Sequence, residues 1–199
     1  NLMKNVYRPL FINETPIMNT SVETAEMIKY ASNAFLALKI SYINEIANLC
    51  EAVGADVHQV AKAMGQDGRI SPKFLHPGPG FGGSCFPKDT LALSLLGTKN
   101  KLPLKTIEAA IEVNNNQSIR MVEKLIFLLD NKISNKKIAI LGLAFKPNTD
   151  DVREAASRKI IPELIKLGAQ INAYDPVAMD NFKHHFPDIN YFNSWEDAI

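Results

Sequence analysis

From Thr20 onward, apolar residues recur without a glycine or proline until Gly54. Thr20-Ser21-Val22-Glu23 fits a capping box, with the threonine and glutamate serving orphan amides at a helix start. The pattern predicts one helix of more than 30 residues, about 50 Å long at 1.5 Å per residue. Ile28, Phe35, Leu36, Leu38, Ile40, Ile43, Ile46 and Leu49 cover most of its circumference. A helix apolar nearly all round is a buried helix, and in so small a chain that burial calls for a second subunit. Asp56, with Gln59 three residues on, starts a short helix that ends at Gly65. Residues 65–84 form a loop dense in glycine and proline. Helical texture returns over Leu91–Leu96, then over a pair at 104–114 and 117–130, with Asn114-Asn115-Asn116 read as the break. Residues 1–20, with Pro9 and Pro16, read as an extended leading segment.

Near residue 131 the period changes. Lys137–Gly142 is a β-branched run closed by glycine, a buried strand. A helix over 157–167, a strand over Gln170–Tyr174, another helix and a third strand near Ile189–Phe192 follow. Alternating strands and helices predict a doubly wound parallel sheet. The expected architecture is α plus α/β: an all-helical domain over 21–130, then an α/β domain over 131–199. Three strands make a thin sheet, and Ser194–Ile199 reads as a helix just starting, so the 199 residues read as a piece of a longer protein.

Composition narrows the function. With 46% hydrophobic and 22% charged residues and a net charge of +1, the chain is an ordinary globular one, not a basic nucleic-acid or membrane-surface binder. Two cysteines make no disulfide scaffold, and no apolar run reaches spanning length. The cytoplasm is the expected compartment. His58, His76, His184 and His185 show no metal-ligand spacing.

The chemistry is concentrated in His76–Asp89. Gly78, Gly80 and Gly83 match a GxGxxG string, but that fingerprint needs a strand before it, and here helices and turns surround it. Cys85 stands where the loop becomes a helix, with Pro87 in the first turn. The helix dipole and Lys88 favour the thiolate, the nucleophilic form. Asp89 lies one turn along on the same face, where a carboxylate can position water or accept a proton. Cys50, inside the apolar helix, reads as a small core residue.

Gly80-Phe81-Gly82-Gly83-Ser84-Cys85-Phe86-Pro87-Lys88-Asp89 resembles the active-site signature of the nucleotide-sugar dehydrogenases, in the form carried by UDP-glucose 6-dehydrogenases. Three further segments agree: Glu26–Phe35 continuing into Lys39-Ile40-Ser41 and Asn44-Glu45, Asp67-Gly68-Arg69-Ile70, and Gly142–Glu154. The resemblance implies NAD-dependent oxidation of a sugar primary alcohol to a carboxylate in two hydride transfers. The intermediates are held as a thiohemiacetal and then a thioester on Cys85. It implies that Lys29 and Asn33 stabilise the oxyanion at C6 and that Asp89 orients water. They are at i and i+4, on one helix face, as amine and amide donors. Substrate contacts fall by the same resemblance on Phe74, Leu75, Phe81, Gly82, Phe145, Lys146 and Arg69, the last reaching a neighbouring subunit's site. Lys88 and Arg153 correspond to residues near the cofactor.

The family's NAD-binding domain, with its GxGxxG, has no counterpart after Asn1, so NAD would be held mainly outside this chain, and the chain alone is expected to be inactive. Ala155-Ala156-Ser157 departs mildly from the family pattern, and His76 stands where its loop varies. UDP-glucose is the substrate these motifs favour. GDP-mannose or a UDP-N-acetyl-hexosamine is the alternative, as is a non-enzymatic module for dimerisation and nucleotide-sugar binding.

Overall fold

The apolar run after residue 20 becomes one helix, α2 (Val22–Val53), in the computed structural model, which describes residues 2–10 and 17–199. Its N-cap is Ser21, not Thr20: the extended Ser21 accepts from the Thr24 amide at 3.3 Å. Gly54 ends it with φ +73°, a left-handed conformation that costs glycine nothing. Ahead of it, the extended reading of the first residues is corrected. Leu2–Tyr7 form a short helix, α1, and Arg8–Leu10 a 3-10 turn, all of them exposed. Leu2/Val6 and Met3/Tyr7 are apolar pairs at i, i+4, and Pro9 follows the helix rather than interrupting it. Residues 17–20 carry no helix or strand, and the remainder of that reading, at residues 1 and 11–16, lies outside the described residues.

After α2 come α3 (Val57–Gly65), capped by Asp56 through the His58 and Gln59 amides, and α4 (Phe86–Lys99). The expected pair at 104–130 is a single helix, α5 (Lys105–Leu128). The asparagines do not break it, because Asn114 turns inward, is 5% exposed, and bonds the backbone of another segment. α2 packs on α4 and α5, with Ser41 donating to the Ala110 carbonyl at 2.7 Å where α2 and α5 cross. Small apolar clusters, Ala34–Leu93–Ile107 and Ile43–Ala61–Leu75, fill that half.

The second half is β1 (Lys137–Leu141), α6 (Ala156–Lys166), β2 (Gln170–Tyr174), α7 (Met179–Lys183), β3 (Asn190–Tyr191) and α8 (Trp195–Ala198). The strands are parallel in the order β1-β2-β3, with Ile138 opposite Ile171 and Ala173 opposite Tyr191. Its core includes Leu143, Ile161, Leu164 and Phe182, each fully buried. Val122, near the end of α5, is buried in this same core. α5 is therefore a strut shared by both halves, which fixes the seam between them.

Candidate active site

The carboxyl of Asp89, in the first turn of α4, is fully buried. It accepts from Lys88 Nζ at 2.6 Å, Asn33 Nδ2 at 2.6 Å and Lys29 Nζ at 3.1 Å. Lys29 and Asn33 come from α2, one turn apart on the same face. Burial raises the Asp89 carboxyl, but the hydrogen bonds from Lys88, Asn33 and Lys29 more than offset it and hold it down at about 2. One turn before it, Cys85 is the N-cap of α4 and is exposed; Pro87 occupies the first turn. All four expected catalytic groups therefore meet at one helix start. Lys88 is part of the same knot.

A cavity of about 560 Å³ lies beside this cluster. Phe74, Phe81, Gly82, Phe145 and Lys146 line it, and Phe86 extends the wall up to the residue next to Cys85. Phe86 meets Phe74 and Phe81 edge to face, with ring centroids 6.0 and 5.8 Å apart. Phe74 has φ +65°, a left-handed conformation costly for a bulky residue. Lys39 donates to the Ile70 and Ser71 carbonyls and ties this loop to α2. The Leu75 side chain is buried against Ile43 and Ala61 rather than in the cavity. Arg69 is not brought to the cavity either: it forks onto Asp67, with Nη2–Oδ2 at 2.6 Å, and its side chain is 90% exposed. Arg153 likewise forks onto Asp151, which it holds at about 2. Its backbone oxygen accepts from the Gly83 amide at 2.8 Å, so it sits directly behind the cysteine loop.

Two glycines explain how the halves close on each other. A Cβ at Gly82 would overlap the carbonyl of Glu154, and one at Gly83 (φ +78°) would meet the Phe145 ring at 2.7 Å. Only backbone fits between the loop and the segment after β1. The glycines serve a domain seam, not a dinucleotide turn.

Sequence reasoning missed the polar frame beneath the loop. Asn114 accepts from the Phe81 amide at 2.7 Å and donates to its carbonyl at 3.1 Å. Gln117 and Ser118 donate to the Gly78 and Pro79 carbonyls, and Asn44 accepts from the Gly78 amide at 2.8 Å. Asp175 was missed as well. It accepts from the amides of Leu143, Ala144, Val177 and Ala178, which lower its pKa against the opposing effect of burial. That clamps the turn leading to Phe145-Lys146. The available signal was placement: amides and an Asp-Pro pair at element ends, in segments otherwise apolar. Among the described residues no acidic, His or Cys cluster has the makeup of a metal site, and no helix is long and apolar enough to cross a membrane.

Comparison with known proteins agrees with this geometry. Residues 23–116 match the central domain of the UDP-glucose/GDP-mannose dehydrogenase family, and residues 139–199 match its UDP binding domain. The chain is 51% identical to a UDP-glucose 6-dehydrogenase of Rhizobium meliloti, over 90% of this chain and 41% of that protein. It is 50% identical to the UDP-glucose 6-dehydrogenase YwqF of Bacillus subtilis, over 100% of this chain and 44% of that protein. The solved UDP-glucose dehydrogenase of Pyrobaculum islandicum superposes with a TM-score of 0.94 at 37% identity, covering 99% of this chain and 45% of that one. The chain thus spans less than half the length of the curated relatives it matches.

Proposed function

The chain belongs to the UDP-glucose/GDP-mannose dehydrogenase family, and on that premise we propose that it supplies the alcohol-oxidising site of a protein that converts UDP-glucose to UDP-glucuronate. The observation that carries this reading is the buried Asp89 held by Lys29, Asn33 and Lys88 one turn below an exposed cysteine. Lys29 and Asn33 each keep N–H groups that Asp89 does not take, and these stabilise the oxyanion that develops on C6. Cys85 attacks the aldehyde carbon and holds it as a thiohemiacetal, whose oxidation leaves a thioester. Water then hydrolyses the thioester to the carboxylate and frees the thiol. A carboxyl held at about 2 is a weak base, so Asp89 orients Lys29, Asn33 and that water instead of storing a proton.

NAD, when bound, takes up the hydride at each of the two oxidations. Lys88 and Arg153 fit a negatively charged dinucleotide. Both are exposed and near enough to Cys85 to feel its charge, and each retains donors that its carboxylate partner does not use. Lys146 and the aromatic wall fit the nucleotide half of the sugar substrate. The test is the whole protein's reduction of NAD with UDP-glucose, UDP-N-acetylmannosamine and GDP-mannose. The reading expects acid and about two NADH per sugar with UDP-glucose; no oxidation of UDP-glucose, or oxidation of another of the three sugars in its place, would contradict it.

A homodimer through α2 is the second part of the reading. Ile28, Phe35, Tyr42 and Leu49 recur every seven residues along α2 and are all exposed, Phe35 at 61%. A seven-residue repeat stays on one helix face, so the face suits a second copy, and Arg69, outside its own chain's cavity and held out by Asp67, acts in trans. Sedimentation should give a dimer at micromolar concentration; a monomer there would contradict it.

A further inference from the structure

Asn44 is fully buried in α2 and lines the cavity that holds Phe74, Phe145 and Lys146. Its Oδ1 accepts from the Gly78 amide at 2.8 Å. A backbone N–H can only donate, so this bond fixes which end of the side-chain amide is oxygen. The other end, Nδ2, is buried and has no acceptor. Buried amide donors are nearly always paired, so an orphan donor on the wall of a cavity marks the place of a ligand acceptor.

The helix says which part of the ligand that is. Lys29, Asn33, Ile40 and Asn44 fall within about 60° of one another at 3.6 residues per turn, on a single face of α2. Asn44 stands eleven residues beyond Asn33, roughly 16 Å along the axis. That span is comparable to an extended nucleotide sugar. With the sugar's C6 at Lys29 and Asn33, Asn44 stands at the opposite end. Ile40, one turn before it on α2, and the Gly78 backbone that it holds share this wall with Lys73, Phe74 and His76. At the end of the span away from C6, a neutral amide donor suits a neutral carbonyl acceptor, and the cationic Lys146 on the same cavity suits the phosphates.

We infer that Asn44 Nδ2 donates to a carbonyl oxygen of the nucleotide's base, making Asn44 a binding group for the nucleoside end of the substrate. The inference rests on the nucleotide-sugar reading above.

The probe is UDP, titrated calorimetrically into the whole protein and its variants. Asn44→Asp retains the acceptor for Gly78 and removes the donor; it should weaken UDP by about tenfold, the scale of one hydrogen bond. Lys146→Ala serves as the second arm. If Lys146→Ala weakens UDP while Asn44→Asp, folded by circular dichroism, binds as wild type, the inference falls and the nucleotide-sugar reading stands. If the folded wild type binds no UDP, both fall. Should Asn44→Asp fail to fold, the wild type decides: the Asn44 side-chain NH₂ resonances in ¹⁵N-labelled protein should shift on adding UDP, and resonances that do not move would overturn the inference.

Discussion

Asp89 and Asp151 are both held at about 2, yet they are built in opposite ways. Asp151 is paired by Arg153, two residues away, in a surface fork that any Asp-x-Arg turn can make. Asp89 is fully buried, and two of its three donors come from a helix 56 and 60 residues earlier in the chain. In the first case hydrogen bonds to a neighbouring arginine lower an accessible carboxyl. In the second, burial opposes ionisation and three convergent donors overcome it. A depressed carboxyl pKa therefore does not by itself distinguish a buried acid at the reacting centre from an exposed one at its edge. The proposed site rests instead on convergence of distant donors on a buried acid beside an exposed thiol.

The largest effect that separates the two regions should come from Asp89→Asn, which leaves Lys29 and Lys88 without a carboxylate. Turnover of UDP-glucose by the whole protein should fall by roughly 10²-fold, within the range for losing an acid–base or positioning group. An activity near wild type would remove Asp89 from the mechanism. Next, Gly82→Ala forces a methyl into the Glu154 carbonyl at the seam, whereas Gly78→Ala enters open space. Thermal or urea unfolding should show a loss of ~1–3 kcal/mol for the first and less than about 0.5 for the second. Equal losses would mean that the seam is not tight. The smallest difference is in acid. The folded Asp89 carboxyl lies below its ordinary value of 3.8. Its stabilisation is thus fully present above about pH 4 and is lost as pH falls toward 2. Unfolding measured from pH 6 to 2 should show the gap between wild type and Asp89→Asn closing over that window. Asp151→Asn should cost less than about 1 kcal/mol at any pH, as exposed pairs do.

Much of this comparison was legible in the sequence. Cys85, Lys29, Asn33 and Asp89 were placed together by motif and by the i, i+4 spacing on α2, and the strand–helix alternation gave the parallel sheet. Long apolar periodicity and Gly54 set the ends of α2 to within a residue or two. What failed were residues whose side chains answer to distant partners. Asn114-Asn115-Asn116 looked like a break because asparagine competes locally with the helix backbone. Asn114 instead spends its amide on Phe81, 33 residues away, so α5 continues. The leading segment was judged by its prolines, although Pro9 lies past the end of α1. Asn44 was read only as part of a motif, and Gln117 and Asp175 not at all, because nothing in the chain's local pattern distinguishes a polar side chain that braces a loop from one on a wet surface.

The central claim is that the oxidation passes through a covalent bond to the thiol at the start of α4. Acid formation from UDP-glucose by Cys85→Ser, in the whole protein and with its fold confirmed, tests it most directly. Production of UDP-glucuronate should drop by at least about 10³-fold, on the scale of losing a nucleophile. Wild-type acid production by that variant would contradict the covalent route.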